Sequence, residues 1–381
     1  NPVDAIRNLI AAEGLALTRT LNGDLSQLFV NASYDSLDDG DDYIEGNGGS
    51  DVIFGNLGQD DIVGGSSDMF SLATPDLRPD GDDILFGGSG TEIGHDDVLG
   101  DDADDPDNII TDGDEHARDA DVIAGDNANI YRIVGTGNVT TPDGTVINGA
   151  DGSGGFLRFE YDAARHDPSR TAELIRVRGV ELLDYTEGGE YYDPQRAAGD
   201  IGAADEIHGE SGDDFIYGLR GGDTLFGGSE SDDLIGGYGP DWISGGQGMD
   251  GVIGDDGRVY TGRYEAFVAS GGVKAADLGV ADDYSELLNG ILMVDQLDKT
   301  IRTPGDILTA IINPSEMING VKMGEIFKTV DITPFNLDSD PMLDRSGLEK
   351  DANDIIFGGL GNDFLHGATG DDAILGAEAL P

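Results

Sequence analysis

A nine-residue period of glycine and aspartate runs without insertion or deletion from Asp200 to Ile253. The first glycines of successive nonapeptides are Gly209, Gly218, Gly227, Gly236 and Gly245, and Gly254 opens the next unit. The aspartates in phase with them are Asp205, Asp214, Asp223, Asp232, Asp241 and Asp250. Two residues after each aspartate stands an aliphatic residue, namely Ile207, Ile216, Leu225, Leu234, Ile243 and Val252. A disordered acidic linker needs no such spacing, so the period predicts a folded repeat.

The same register returns in three other parts of the chain. The upstream block carries Gly46, Gly55 and Gly64 in step with Asp42, Asp51 and Asp60. An irregular block holds Asp83 before Gly87 and Asp121 before Gly125. The block near the C-terminus carries Asp354, Asp363 and Asp372. The repeat therefore organises most of the chain outside two long interruptions.

Each nonapeptide combines a tight turn with a very short strand. Glycines in the turn accept positive φ without steric cost, and they leave carbonyl oxygens free to converge on a cation. Calcium is a hard ion that takes about 6–8 oxygen ligands, often carbonyls mixed with carboxylates. In the strand, alternate residues face opposite sides, so the aliphatic residue points inward and its neighbours point outward.

Two nonapeptides make one turn of a flattened coil, which places equivalent residues two repeats apart. The sequence thus predicts an all-β fold, a parallel β-roll solenoid with calcium between its turns and two non-repeat insertions of mixed β and α character. The aspartate pairs expected to share a cation are Asp205 with Asp223, Asp214 with Asp232, Asp223 with Asp241, Asp232 with Asp250, Asp42 with Asp60, and Asp354 with Asp372. These pairs suggest about six calcium ions as a lower bound.

The repeats resemble the repeats-in-toxin family of secreted bacterial proteins, and the resemblance covers about half of the residues. It implies a secreted or cell-surface bacterial protein that leaves through type I secretion machinery, and it implies that carbonyls of the turn glycines complete each calcium shell. The candidate aspartates are Asp42, Asp51, Asp60, Asp83, Asp121, Asp205, Asp214, Asp223, Asp232, Asp241, Asp250, Asp354, Asp363 and Asp372. The candidate glycines are Gly46, Gly48, Gly55, Gly209, Gly218, Gly227, Gly236, Gly245, Gly358 and Gly367.

The formal net charge is −56, from 77 acidic and 21 basic side chains in 381 residues. Stacked aspartates would repel one another without cations, so we expect folding to be coupled to metal binding. Extracellular calcium modules bind with dissociation constants of about 10⁻⁴–10⁻³ M, which predicts a chain that is unfolded inside the cell and folded outside. The acidic charge excludes nucleic acid and anionic membranes as partners, because both need a basic surface. The chain has no cysteine and no run of about twenty apolar residues, which predicts no disulfide and no transmembrane segment.

The register divides the chain into six segments. We predict an N-terminal cap or linker with a short helix at 1–36, the first β-roll blocks at 37–126, and a small β-rich insertion at 127–198. A central β-roll block follows at 199–256, then a second, mixed insertion at 257–350 and a C-terminal block at 351–381. Strands are expected at 155–161, 173–177, 258–268 and 321–333, and helices at 5–16 and 284–294. The abrupt ends suggest a piece of a longer polypeptide.

Outward strand positions are unusually apolar, which is a liability unless something covers them. They include Phe54, Phe86, Phe215, Tyr217, Phe226, Ile235, Trp242, Phe357 and Phe364. We expect the two insertions to fold back over part of this strip. His95, His208 and His366 also fall at outward positions, at the end of a repeat, and are expected at the surface.

The motifs of common catalytic sites are absent from the sequence. There is no H-E-x-x-H, no G-x-S-x-G and no G-K-[ST]. The sequence therefore offers no candidate for a zinc hydrolase site, a serine nucleophile or a phosphate-binding loop. The predicted function is therefore non-catalytic: a calcium-binding module that folds in extracellular calcium and supports the export and stability of a larger parent polypeptide.

Two alternatives stay open. The first is a segment of a calcium-dependent surface adhesin or matrix protein, in which copies of the chain associate with one another. The second rests on the segments 241–258 and 329–335, which resemble repeat regions of large secreted haem-peroxidase-like proteins. No haem-ligating motif is evident, so any oxidase activity would belong to another part of the polypeptide.

Overall fold

The computed structural model describes residues 17–20, 27–30, 32–33, 39–90, 119–132, 138–140, 146–148, 158–160, 174–176, 178–186, 194–262, 317–318, 321–322, 329–334, 353–361 and 363–377. The strands of the first half are β1 (Leu17–Thr20), β2 (Gln27–Val30), β3 (Tyr43–Glu45), β4 (Val52–Phe54), β5 (Asp61–Val63), β6 (Ile84–Phe86), β7 (Val122–Ala124), β8 (Ala128–Arg132), β9 (Asn138–Thr140), β10 (Val146–Asn148), β11 (Arg158–Glu160), β12 (Leu174–Arg176) and β13 (Arg178–Leu182). The remaining strands are β14 (Glu206–Glu210), β15 (Phe215–Arg220), β16 (Thr224–Gly228), β17 (Asp233–Tyr238), β18 (Trp242–Gly248), β19 (Gly251–Asp255), β20 (Gly257–Gly262), β21 (Met317–Ile318), β22 (Val321–Lys322), β23 (Thr329–Pro334), β24 (Ile355–Gly361), β25 (Phe364–His366) and β26 (Ala373–Leu375). Helical structure in the described ranges amounts to a 3₁₀ turn at Pro75–Leu77 and a one-turn helix, α1, at Pro194–Ala197.

Two seven-stranded sheets dominate the described residues, and all their neighbouring strands are parallel. The first sheet has the order β4-β6-β14-β16-β18-β24-β26, and the second has the order β3-β5-β7-β15-β17-β19-β25. Among these strands the chain passes from one sheet to the other at each step. The prediction of an all-β fold with short parallel strands is confirmed for the described residues.

The core between the two sheets consists of the aliphatic residue of each repeat. Both sheets contribute to this single cluster, whose buried members are Ile53, Ile62, Leu85, Ile123, Ile207, Ile216, Leu225, Leu234, Ile243, Val252 and Ile356. Because alternate strand residues face opposite sides, a strand of three residues turns one side chain inward. The predicted inward position is therefore confirmed. Stacking the turns buries these aliphatic side chains, which an isolated repeat would leave exposed.

The outer face of the second sheet is covered by segments of both insertions. Phe215, Tyr217 and Ile235 belong to a buried cluster that also contains Ile130 and Val180 from the antiparallel pair β8–β13, and Val259 from β20. The prediction that the insertions fold back over outward apolar residues is confirmed for this sheet. The covering lets the second sheet carry large apolar side chains on both faces.

A buried ion pair fastens the first insertion to the second sheet. The Arg178 guanidinium of β13 donates through Nε to Oδ1 of Asp61 in β5 at 2.9 Å, and both side chains are 2 % exposed. Arg132 of β8 reaches the other oxygen, Oδ2, at 2.5 Å. Two guanidinium groups thus bind one carboxylate, which fixes β8 and β13 against β5.

A stack of aromatic rings covers the outer face of the first sheet. The rings of Phe54, Phe86, His208 and Phe226 lie parallel with centroids 4.5–4.9 Å apart, and Trp242 and Phe357 continue the row. The expectation that His208 lies at the surface is wrong, since this side chain is 2 % exposed and its Nε2 lies 3.0 Å from Oε1 of Glu206. His366 is half-buried, and its Nδ1 accepts a hydrogen bond from the N–H of Ala368. His95 lies outside the described residues.

Further antiparallel pairs occur in the interruptions. In the first insertion β9 pairs with β10 and β11 with β12, and in the second β20 pairs with β23 and β21 with β22. β11 and β12 lie within the strands predicted at 155–161 and 173–177, and β20, β22 and β23 confirm the described parts of those predicted at 258–268 and 321–333. The helices predicted at 5–16 and 284–294 lie outside the described residues. In the N-terminal segment β1 pairs with β2, which the sequence did not predict.

Candidate metal-binding turns

The repeat aspartates form two continuous ladders, one along each sheet. Each aspartate stands directly before a strand, and its Oδ1 accepts the backbone N–H of the aspartate one turn earlier. The first ladder precedes the strands of the first sheet and consists of Asp51, Asp83, Asp205, Asp223, Asp241, Asp354 and Asp372. The second precedes the strands of the second sheet and consists of Asp42, Asp60, Asp121, Asp214, Asp232, Asp250 and Asp363. The N···O distances run from 2.6 to 3.3 Å.

The six aspartate pairs predicted from the sequence are all brought together in these ladders. Six further pairs stack across an interruption, namely Asp51 with Asp83, Asp60 with Asp121, Asp83 with Asp205, Asp121 with Asp214, Asp241 with Asp354, and Asp250 with Asp363. Sequence reasoning missed these pairs because a constant spacing finds only uninterrupted turns. The blocks can instead be aligned by the short strand that follows each aspartate, because these strands pair in register across the interruptions.

The second carboxylate oxygen of the ladder aspartates points into the turn. Oδ2 is buried and has no hydrogen-bond partner in Asp60, Asp121, Asp205, Asp214, Asp223, Asp241 and Asp354. These seven side chains are at most 2 % exposed. A buried carboxylate oxygen without a donor is costly unless a cation or a proton neutralises it.

The first glycine of each turn lies where this oxygen meets a carbonyl of the next turn. A Cβ added to Gly236 would stand 2.1 Å from the carbonyl oxygen of Gly254 and 2.4 Å from Oδ2 of Asp241. Both distances are shorter than any real Cβ contact, so glycine is required here for space. The two oxygen atoms therefore lie close together beside the backbone of Gly236.

The other candidate glycines show the same close approach of an aspartate oxygen, with one exception. An aspartate Oδ2 lies 2.2–2.9 Å from the Cβ position of Gly46, Gly55, Gly209, Gly218, Gly227, Gly245, Gly358 and Gly367. Gly48 differs, because the Cβ position there meets Pro79 and no aspartate. Four glycines that were left out of the candidate set show the same contact, namely Gly64, Gly87, Gly125 and Gly254.

Burial raises the pKa of the ladder carboxyls because it penalises their charged form. The pKa of Asp60 rises to about 7, and the pKa of Asp223 and that of Asp354 rise to about 8. For Asp121, Asp205, Asp214 and Asp241 burial also raises the pKa well above its ordinary value. Without a counter-charge the ladder therefore favours protonated carboxyls, and a bound cation would take the place of those protons.

A reversed pH dependence is expected for protein stripped of metal on a chelating resin. The folded state then holds protons on Asp60, Asp223 and Asp354 that the unfolded chain, with an ordinary pKa of about 3.9, has already released. This contribution to stability is fully present below about pH 4 and is lost as pH rises towards about 8, by up to about 1.4 kcal/mol per pH unit for each carboxyl. Far-UV circular dichroism should show more strand at pH 5 than at pH 8. Equal spectra at the two pH values would contradict the burial of these carboxyls. Saturating calcium competes with protons for the carboxylates, so it should remove the difference between pH 5 and pH 8.

The donor set fits a hard cation. The atoms that converge in the turns are carboxylate and carbonyl oxygens, which calcium prefers over nitrogen or sulfur ligands. Within the described ranges no three histidine, cysteine, aspartate or glutamate side chains come together to hold a metal ion. A cation in these turns would therefore depend on backbone carbonyls for much of its coordination.

Comparison with known families identifies the repeats. A family model described as RTX calcium-binding nonapeptide repeat (4 copies) matches residues 37–68, 80–91, 202–234, 226–258 and 350–378. These stretches, about a third of the chain, hold every ladder aspartate except Asp121. They are RTX calcium-binding nonapeptide repeats, a structural repeat of secreted bacterial proteins, and the resemblance seen in the sequence is confirmed. No curated protein and no solved structure matches the chain. No helix among the described residues is long and apolar enough to span a membrane.

Proposed function

We propose that the chain is a calcium-binding β-roll whose folding is driven by extracellular calcium and which supports the export and stability of a larger secreted protein. The observation that carries this proposal is the pair of ladders, in which buried and unpartnered Oδ2 atoms face carbonyl oxygens of the next turn. Calcium, when bound, would supply the positive charge that these oxygens lack.

The ladder aspartates and the turn glycines would both supply oxygen ligands to the cation. In each turn the Asp Oδ2 would bind the cation, while Oδ1 stays on the N–H of the preceding turn and holds the carboxylate in place. The carbonyl oxygen of a first glycine, such as Gly254 beside Asp241, would complete the shell. Since twelve aspartate pairs stack, about six ions is a lower bound for the number bound per chain.

The net charge of −56 supports a role outside the cell. In a compartment with little free calcium the stacked carboxylates would repel one another, and the chain would stay unfolded in the state that a secretion channel accepts. Millimolar calcium outside the cell would neutralise the ladders and allow the core aliphatic residues to pack. The chain would then fold only after export, as part of the larger parent polypeptide.

An isosteric substitution tests this ligand assignment. Asp223→Asn keeps an Oδ1 that accepts the N–H of Asp205 at 2.8 Å, but it replaces Oδ2 by an NH2 group, which cannot bind a cation. We expect the variant to lose at least one bound calcium per chain, measured by equilibrium dialysis with metal analysis. The matched control is Asp76→Asn, an exposed carboxyl outside the ladders, which should bind as many ions as the wild type. An unchanged count for Asp223→Asn would contradict the assignment.

A further inference from the structure

We propose that the two ends of the stacked sheets bind each other, so that copies of this chain join head to tail into an open linear stack. The C-terminal end consists of the outermost strands β25 and β26, and the N-terminal end consists of β3 and β4. Among the described residues, each of these four strands has a paired neighbour on one side only. A strand edge of this kind is a template for pairing with another chain.

The C-terminal end leaves the core between the two sheets partly open. Ile374 of β26 is the aliphatic residue of its repeat and is 45 % exposed, whereas Ile356 and Ile243, its counterparts on the two preceding strands of the same sheet, are 0 % exposed. Leu375 beside it is 46 % exposed. β26 (Ala373–Leu375) carries neither a charged residue nor a proline, which commonly keep a strand edge from pairing. A further turn would bury these apolar side chains as the inner turns bury theirs.

The aspartate ladders run in one direction and therefore give the two ends complementary hydrogen-bonding groups. At the C-terminal end the carboxylate of Asp372 accepts the N–H of Asp354 one turn earlier, so the N–H of Asp372 is directed towards a following turn. At the N-terminal end the N–H of Asp42 donates to Asp60 one turn later, and Asp42 itself is exposed. Donors at one end and acceptors at the other favour head-to-tail contact, because two C-terminal ends would bring donors against donors.

The backbone of the strands has the same direction as the ladders. The first residue of a strand donates its N–H to the carbonyl oxygen of the ladder aspartate one turn earlier, as Ile84 of β6 does to Asp51 at 3.0 Å. The N–H of Val52, the first residue of β4, therefore points away from β6 and out of the N-terminal end. In a head-to-tail joint it would meet the carbonyl oxygen of Asp372 of the other copy.

The order of the strands permits this joint without a change of register. Successive strands of the stack alternate between the two sheets, and β25 of the second sheet is followed by β26 of the first. In another copy β3 belongs to the second sheet and β4 to the first, so these strands take the next two places in the same alternation. Asp42 and Asp51 of that copy would then extend the ladders that reach Asp363 and Asp372. Because each joint uses two different ends, the assembly stays open rather than closing into a symmetric dimer.

The turn after β26 has room for the strand of another copy. At inner turns the Cβ position of the first glycine meets a carbonyl oxygen of the next turn, at 2.1 Å for Gly236 and at 2.3 Å for Gly227. The Cβ position of Gly376, the first glycine after β26, meets nothing within 4 Å. An added Cβ there would be accommodated in the single chain and would clash in the stack.

The charge of the chain opposes association and gives it a distinctive salt dependence. Each copy carries a formal net charge of −56, so two copies repel each other at low ionic strength. Added salt screens this repulsion, whereas the pairing of strands and the burial of apolar side chains do not depend on ion pairs. Association through the ends should therefore strengthen when salt is added.

Sedimentation velocity of the full chain in calcium tests the joint, with far-UV circular dichroism to compare the strand content of each variant. We expect the wild type to sediment faster as protein concentration rises, and faster still in added sodium chloride. Gly376→Ala blocks the C-terminal end, and Val52→Pro removes the N–H at the N-terminal end, at the first position of an edge strand, where proline is tolerated. Each of these variants alone should stay monomeric.

The matched controls make the same kind of change without blocking an end. Val52→Ala keeps the N–H, and Gly199→Ala adds a Cβ that meets nothing closer than the carbonyl oxygen of Arg196 at 3.4 Å. Both should associate as the wild type does. An equimolar mixture of Gly376→Ala and Val52→Pro combines one open N-terminal end with one open C-terminal end. It should form a complex of two chains and nothing larger, which would also show that both variants fold.

Failure of the joint is distinguishable from failure of the proposed function. A wild-type chain that folds in calcium but stays monomeric would overturn the joint and leave the proposed function intact. A Val52→Pro chain that still dimerises alone would overturn it in favour of contact between two C-terminal ends. Association that weakens in added salt would also overturn it, because ion pairs would then hold the copies together. A chain that stays unfolded in calcium would overturn the proposed function and the joint together.

Discussion

Removal of calcium is expected to abolish most of the strand signal of this chain in far-UV circular dichroism at neutral pH. Without cations, the buried Oδ2 atoms of Asp121, Asp214 and Asp241 have no partner, and carboxylates stack turn upon turn. Desolvation and like-charge repulsion then act against the compact state. Addition of calcium should restore the signal in a cooperative transition, because each ion joins two turns.

The expected size of this effect is comparable with the stability of a whole domain. At about 1 mM calcium, a site with a dissociation constant of about 10⁻⁴–10⁻³ M contributes roughly 0.4–1.4 kcal/mol. Six such sites give about 2.5–8 kcal/mol, against the 5–15 kcal/mol that typically separates folded from unfolded proteins. A loss of this size is enough to unfold the stacked sheets.

Magnesium provides the control for calcium-driven folding. It demands a near-ideal octahedral shell and gives up its water reluctantly, whereas these turns offer a mixture of carbonyl and carboxylate oxygens. The same concentration of magnesium should therefore leave the spectrum of the metal-free chain unchanged. Identical spectra with chelator and with calcium would contradict metal-coupled folding.

The second large effect is expected from Gly236→Ala. The added Cβ would stand 2.1 Å from the carbonyl oxygen of Gly254 and 2.4 Å from Oδ2 of Asp241, so the turn must open. Overpacking of this kind costs about 3 kcal/mol, and here it would also displace two of the proposed ligands. We expect a lower midpoint of thermal unfolding in calcium and a higher calcium concentration for half-folding.

Gly40→Ala is the matched control, because nothing lies within 4 Å of the Cβ position at Gly40. The same chemical change there should leave both midpoints within error of the wild type. Equal effects at the two positions would show that the loss does not come from the space between the turns, because Gly→Ala without a steric clash tends to stabilise a folded chain. An unaltered calcium midpoint in Gly236→Ala would contradict the position assigned to the ligands.

The regular part of the fold and site could be predicted from the sequence. The aspartate and the aliphatic residue stand two positions apart in every repeat, and this spacing fixes which side chain packs inward and which carboxylate reaches the turn. Asp223, Leu225 and Gly227 therefore lie where the period places them.

Features that depend on contacts across the interruptions could not be predicted. The pairing of Asp83 with Asp205 spans 122 residues, and no constant period encodes it. His208 occupies an outward position in its strand, but the rings of Phe86 and Phe226 on the neighbouring strands enclose it. Asp126 and Asp80 stand at positions where the nonapeptide pattern specifies no aspartate. The contact between their carboxyl groups therefore depends on how the first insertion folds.

Calcium between the turns can be located in a crystal structure of the chain grown in calcium, with anomalous scattering used to find the ions. If calcium joins the turns, anomalous peaks will lie along both ladders, each between an aspartate Oδ2 and a glycine carbonyl of the next turn. Turns without peaks, in crystals where the ladder carboxylates point into solvent, would contradict calcium binding between the turns.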